Sequence, residues 1–326
     1  MIVVTGAAGF IGSNVVAALN EAGHTDIAVC DWLGQDQRWM NLRKRQFRHF
    51  VFPEELLAFL DRAPAVEAIV HMGANSSTTA TDGDAIVRTN LQYSLGLLDW
   101  CAAHAVPLVY ASSAATYGDG AQGFEDGTSL AALRALRPLN LYGWSKHQFD
   151  LVFAERLALG LPLPPRCIGL KFFNVFGQNE YHKADMMSVL AKNYDTVAAG
   201  GEVRLFKSHR NDYVDGGQRR DFVSVDDVVH VIQWALGDGP RYGLLNVGTG
   251  AATSFRELIE ALFAAANRTP RIAYVPMPEM LRDRYQYFTE APLATLRAAG
   301  YTRPFLPIQE AVGRYVRYLS SDDRHR

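Results

Sequence analysis

The sequence predicts an α/β protein, a doubly wound parallel sheet with a smaller, interleaved C-terminal α/β domain. Three observations predict it. Short apolar runs alternate with longer helical patterns through the first half of the 326 residues. The first run is followed at once by a glycine-rich turn. After Phe173 the alternation weakens into loops rich in Gly, Asp and Arg, as in Lys207–Arg220.

Taken in order, Ile2–Thr5 is entirely β-branched and reads as a strand, and Ile11–Ala22 reads as the helix after it. Ile27–Asp31, Ala68–His71, Leu108–Ala111 and Cys167–Phe172 are further strands, with helical stretches near Ala85–Ala103 and Tyr142–Leu159. Alternation resumes at Phe222–Leu236 and Leu244–Val247. The expected division is residues 1–172 plus 216–247 in one domain, and 173–215 plus 248–326 in the other. Ser320–Arg326 reads as a frayed polar tail.

An apolar fraction of 48% supports a substantial core and excludes a disordered chain. Thirty-four acidic against thirty-two basic residues exclude a general nucleic-acid binder, which needs a basic excess. The three cysteines, Cys30, Cys101 and Cys167, form no CxxC pair or metal cluster, so free thiols in a reducing compartment are expected. No leader and no apolar run of about 18 residues is visible, so the expectation is a cytoplasmic protein with no membrane partner.

Gly6-Ala7-Ala8-Gly9-Phe10-Ile11-Gly12 lies between the first strand and its helix. Glycines there allow a tight turn and let a pyrophosphate reach backbone N–H groups at the helix N-terminus. Asp31, about twenty residues on, sits where an acid contacts the adenosine ribose and favours NAD. Arg38 is suited to a 2′-phosphate, which points to NADP. The run Arg43-Lys44-Arg45 is either a further phosphate contact or a solvated basic face.

Tyr142 and Lys146 are four apart, so they share a helix face about 6 Å apart along the axis. A phenol titrates near pH 10, too high for a neutral-pH base unless nearby cations favour the phenolate. Lys146 and a nicotinamide ring are the expected cations. Ser113, in Ser112-Ser113-Ala114-Ala115-Thr116-Tyr117-Gly118, can hydrogen-bond a reacting oxygen. Tyr117 reads as a structural residue.

These motifs resemble an extended short-chain dehydrogenase/reductase, with the Rossmann fold that implies. Phe172-Phe173-Asn174-Val175-Phe176-Gly177, Arg220-Asp221-Phe222-Val223 and Asn246-Val247-Gly248-Thr249-Gly250 extend the likeness along nearly the whole chain. A closer resemblance is to the ADP-L-glycero-D-manno-heptose 6-epimerase family. It rests on His71-Met72-Gly73-Ala74-Asn75-Ser76-Ser77-Thr78-Thr79, Pro138–Gly143, Tyr181-His182-Lys183, Arg284–Thr289 and Leu296–Tyr301. That family holds NADP tightly, oxidises C6″ of an ADP-heptose and re-reduces the carbonyl from its other face.

The resemblance implies Tyr142 and Lys183 as the two acid/base residues, with Lys146 binding cofactor and Ser113 beside the reacting carbon. It implies cofactor contacts at Gly6, Gly9, Phe10, Ile11, Gly12, Asp31, Trp32, Arg38, Met72, Gly73, Ala74, Asn75, Ser76, Asn90 and Val175. Asn174, Lys192, Phe206, Arg220 and Tyr285 fall on the substrate side. A homo-oligomer is also implied, a pentamer being one candidate.

The chain departs from the family at Pro53, Asn75, Ala184-Asp185 (where Gly-Ser is usual) and Lys192, and in a longer loop from Phe206 to Arg220. The main alternative is a nucleotide-sugar 4-epimerase, which needs Tyr142, Lys146 and Ser113 but has no reason for Lys183. A 4,6-dehydratase needs acids where Ala114 and Ala115 stand. A dinucleotide-sensing binding protein would not need the Tyr142–Lys146 pair.

Overall fold

The computed structural model describes residues 1–63, 65–282 and 286–326, without the side chains of residues 280 and 281. Seven parallel strands form its central sheet: β1 (Ile2–Thr5), β2 (Ile27–Cys30), β3 (His49–Val51), β4 (Ala68–His71), β5 (Leu108–Ser113), β6 (Cys167–Phe172) and β7 (Tyr242–Val247). They lie in the order β7-β6-β5-β4-β1-β2-β3. β1, β2, β4, β5 and β6 are buried at every residue, which is why they read as unbroken apolar runs. β3 is an edge strand with exposed His49 and Phe50, and its short polar-led sequence gives no strand signal.

Helices cover both faces. Val15, Val16 and Leu19 of α1 (Phe10–Glu21) pack with Val4, Val29 and Val70 on one side of the sheet. On the other side Leu97, Leu98 and Cys101 of α2 (Tyr93–Ala103) meet Val3, Ile69 and Tyr110. Phe149 and Phe153 of α3 (Leu141–Leu159) join that second layer, while α4 (Val225–Leu236) returns to the first. The stretch expected to be helical over 85–103 is so, but it passes through a wide π-helical turn at Val87–Gln92 that contains Asn90. All three cysteines are buried and free.

A separate apolar cluster forms from later residues. Helices Phe255–Ala265 and Ile308–Leu319 pack with Val189–Ala198 around the parallel ladder of Val203–Phe206 and Ile272–Val275. Among the described residues no helix is long and apolar enough to cross a membrane. The polar tail is not frayed: Asp323 pairs with Arg43 and Lys44, and Arg326 pairs with Glu21. The basic run 43–45 is therefore a seat for the tail and not a bare solvated face.

One ionic contact joins α3 to the sheet. Asp150, one helical turn beyond Lys146, meets Lys171 of β6 at 2.6 Å, and both side chains are fully buried. The carboxylate also accepts hydrogen bonds from Tyr110 (3.0 Å) and Ser112 (2.7 Å) of β5, so every partner is fixed on a rigid element. Lys171→Met would leave Asp150 charged and uncompensated in the core. The expected loss of stability is about 3–5 kcal/mol, read from urea unfolding. Adding Asp150→Asn should recover part of it, because it removes the uncompensated charge while its single amide oxygen can still accept from either Tyr110 or Ser112.

Candidate active site

The glycine turn is shaped for close approach. Gly6 has φ +65°, and a Cβ there would lie 2.6 Å from the Gly73 nitrogen after β4. A Cβ on Gly12 would overlap the Gly6 carbonyl oxygen, so α1 can begin against the turn only with glycine at that position. The helix starts at Phe10 with no side-chain cap and no acid in its first turn, leaving its N–H groups suited to a diphosphate. These features fit a dinucleotide.

Asp31 anchors this turn directly. Its carboxylate oxygens accept the Ala8 and Trp32 N–H groups, each at 2.8 Å. Burial raises its pKa, and the Ala8 hydrogen bond opposes that rise. Trp32 is exposed, with its indole N–H on Glu54 at 2.9 Å. Arg38 is held by Asp36 through Nε–Oδ1 (2.9 Å) and Nη2–Oδ2 (2.7 Å). Its guanidinium is therefore pre-oriented, at the cost of sharing its charge with an acid the sequence reading did not weigh.

Ser113 closes β5, and Tyr142 lies in the first turn of α3, capped by Asn140. A Ser113 side-chain hydrogen bond to the phenol favours phenolate, but burial dominates and holds the Tyr142 pKa above its usual value. The expectation that Lys146 pulls the phenol down is not met by the chain alone, because the nearby Asp150 charge raises it further. Lys146 itself is 3% exposed, and burial lowers its pKa to about 8, with Asp150 opposing.

Asn90 is fully buried. Its Oδ1 accepts the Asn75 N–H at 2.8 Å, and its Nδ2 donates to the Asn75 carbonyl (2.9 Å) and the Ser145 hydroxyl (3.0 Å). Both amide hydrogens are engaged, so Asn90 ties the 72–76 loop to α3. Met72, Gly73 and Ala74 are half-buried there, and Asn75 and Ser76 are exposed. Beneath the loop, His71 bridges Thr5 Oγ1 (2.6 Å) and Ser94 Oγ (2.8 Å).

Lys183 comes from a different part of the chain. Strand Asn174–Phe176 leads into the buried turn Gln178-Asn179-Glu180 and then the helical turn Tyr181–Met186. Asn14 and Ser13 of α1 hold the turn through the Gln178 carbonyl (2.9 Å) and the Asn179 amide (3.0 Å). Glu180 accepts from Ser188 Oγ (2.7 Å) and Tyr315 (2.9 Å). The Lys183 ammonium then lies 5.0 Å from the Phe10 ring centroid, at the mouth of the glycine turn. Burial lowers its pKa, Glu180 opposes this, and Lys192 adds to it.

Ala184, where the family pattern has glycine, is held at φ +45° and ψ −119°. Beside Lys183, His182 has a pKa lowered to about 4, chiefly by burial. Neither Asn179 nor Glu180 carries a motif that would have flagged it.

On the substrate side Asp221 is buried and organises the surrounding loops. It accepts the Thr249, Gly250 and Ala291 N–H groups at 2.7, 2.9 and 3.0 Å, which explains the Asn-Val-Gly-Thr-Gly string. Arg220 stands beside it, buried, with its guanidinium 5.9 Å from the Phe255 ring centroid. Asn174 is exposed, and Val175 and Phe206 are half-buried. Lys192 donates to the Asp185 carbonyl. Tyr285 lies outside the described residues.

Residues 2–248 match the NAD dependent epimerase/dehydratase family. The chain belongs to that family. Curated relatives include the ADP-L-glycero-D-manno-heptose-6-epimerases of Nitratidesulfovibrio vulgaris strain Hildenborough and Fusobacterium nucleatum subsp. nucleatum. They are 44% and 41% identical, covering 100% of both chains in each case. Solved structures share the fold. The Helicobacter pylori ADP-L-glycero-D-manno-heptose-6-epimerase aligns with TM-score 0.78 and 24% identity over 98% of this chain and 96% of its own. The UDP-glucose 4-epimerase of Thermotoga maritima reaches 0.78 at 23% identity, with 98% of each chain covered.

The buried imidazole under the site makes stability depend on acid. Burial, aided by the Lys146 charge, lowers the His71 pKa to about 3, whereas an unfolded histidine titrates near pH 6.5. Between those values the unfolded chain holds the extra proton, so stability falls as pH falls, by about 1.4 kcal/mol per pH unit. Unfolding free energies measured from pH 7 to 4 should show this slope. A His71→Asn variant should be shallower by about one proton, which separates His71 from the other buried histidines.

Proposed function

We propose that this chain interconverts ADP-D-glycero-D-manno-heptose and ADP-L-glycero-D-manno-heptose by oxidising C6″ and re-reducing the carbonyl from its other face. The full-length likeness to 6-epimerases supports the substrate class. The observation that carries the chemistry is Lys183, an amine partly shielded from water at the mouth of the glycine turn. A 4-epimerase has no use for it, and Ala114-Ala115 leaves no acid for a dehydration.

The proposed cofactor is NADP, which when bound takes the C6″ hydride and returns it. The glycine turn and the start of α1 hold its diphosphate, and Arg38 meets the 2′-phosphate. Tyr142 exchanges the C6″ hydroxyl proton of one epimer, with Ser113 hydrogen-bonded to the reacting oxygen and Lys146 a helical turn away. Lys183 exchanges that of the other epimer after the carbonyl turns about C5″–C6″. Its lowered pKa raises the neutral fraction that can accept a proton.

In this reading Tyr142→Phe and Lys183→Met each keep the fold and bound cofactor but slow epimerisation at least ~10²-fold. NMR of an ADP-heptose incubation in heavy water, beside UDP-sugar controls, should show epimerisation with no deuterium at C6″. Deuterium at C6″ would sink the hydride route, and wild-type turnover by Lys183→Met would remove the second base.

Mass spectrometry of released cofactor should find mainly NADP. Arg38→Ala should weaken NADP at least ~10-fold while sparing NAD. A release of NAD alone, with NADP affinity unchanged in the variant, would overturn that choice.

A further inference from the structure

The segment 323–326 is bound to several separate elements around the Lys183 turn. Its side toward the sheet is ionic: Asp323 meets Lys44 at 2.9 Å, and the Arg326 guanidinium meets Glu21 of α1 at 2.8 Å and Asp226 of α4 at 3.5 Å. Arg43 also reaches Asp323, and Arg45 donates to the Arg326 carbonyl at 3.1 Å. On the other side Arg324 pairs with Asp195 at 2.7 Å. Charges from four separate stretches of chain converge on four residues.

Two of its hydrogen bonds land on the turn itself. The Arg326 N–H donates to Asn179 Oδ1 at 3.0 Å, and the Tyr181 hydroxyl donates to the Arg324 carbonyl at 2.9 Å. Asn179 is fully buried in the left-handed region at φ +70°, and its carbonyl accepts from Asn41 at 3.2 Å. The Lys183 N–H in turn bonds to the Glu180 carbonyl at 3.0 Å. Losing the tail would leave a buried amide oxygen without its donor, in a turn held mainly by polar contacts. Lys183 follows within four residues.

We propose that residues 323–326 are a strap that positions Lys183, with Arg324 and Arg326 as its positioning residues. Removing the strap frees the 178–187 segment and moves the lysine amine from its place over Phe10. Tyr142, fixed on α3 against the sheet, is untouched. The proposal deepens the reading of Lys183 as the second proton carrier and rests on it.

Two variants test it: deletion of residues 322–326, and Asp323→Lys, which sets like charges against Arg43 and Lys44. Amide hydrogen exchange across 178–187 should quicken at least ~10-fold in both. Single-turnover reduction of bound cofactor, started separately with each ADP-heptose epimer, should slow at least ~10-fold for one epimer and stay within ~2-fold for the other. Arg43→Asp with Lys44→Asp should restore the Asp323→Lys variant toward wild type.

Equal slowing of both epimers would mark general damage and overturn the proposal, as would unchanged exchange. If the deletion fails to fold, Asp323→Lys gives the same readings. A wild-type chain inactive on both epimers would defeat the functional reading instead, and exchange would still decide whether the strap holds the turn.

Discussion

Two opposite charges, Asp150 and Lys171, lie in the core with no exposed surface between them. Such a pair recovers its desolvation cost only if its remaining hydrogen-bonding capacity is filled. Tyr110, Ser112 and Thr116 fill it here, and each sits within a few residues of Ser113. Thr116 takes the Lys171 ammonium at 2.8 Å and donates to the Ser113 carbonyl at 2.8 Å. The pair thus fixes at once the end of β5, the start of the loop after it, and the face of α3 that carries Tyr142 and Lys146.

The rest of the scaffold separates apolar from polar work. Side chains on the two faces of the sheet supply the cohesion, and the loops at its carboxyl ends are tied by carboxylates and amides. Asp31 ties the glycine turn, Asn90 the 72–76 loop, Asp221 the 249–250 loop, and Glu180 the entrance to Val189–Ala198. Each accepts or donates to backbone groups that loops leave unpaired. This arrangement permits irregular chain next to a ligand without a buried unsatisfied amide.

Local periodicity made the sheet legible in the sequence, because parallel strands buried on both faces are mostly apolar, and Lys171, Ser112 and His71 break the runs without hiding them. The glycine turn, Ser113 and the Tyr142–Lys146 pair were legible for the same reason: their chemistry depends on spacing within one element. Asp150 shares that spacing, but its partner Lys171 lies on a strand twenty-one residues later, and no local pattern joins them. Asn75 and Ser145, the partners of Asn90, likewise come from separate stretches that no local pattern joins. The tail was misread because composition reports polarity alone. It cannot show that Glu21, Arg43, Lys44 and Asp195 gather into a complementary seat.

The two candidate proton carriers are held in physically different ways, and this follows from what each must do. Tyr142 stands on a nineteen-residue helix packed on the sheet, where displacement would open the core. Lys183 stands on a short helical turn fastened by hydrogen bonds and ion pairs, with a left-handed alanine immediately after it. The outer ion pairs of that fastening, such as Arg324 with Asp195, face water and can open and re-form at small net cost, whereas the buried Asn179 and Glu180 lose a partner only at a desolvation penalty. Displacing Tyr142 would open apolar core, for which water is no substitute, so the Lys183 seat is the more readily moved of the two.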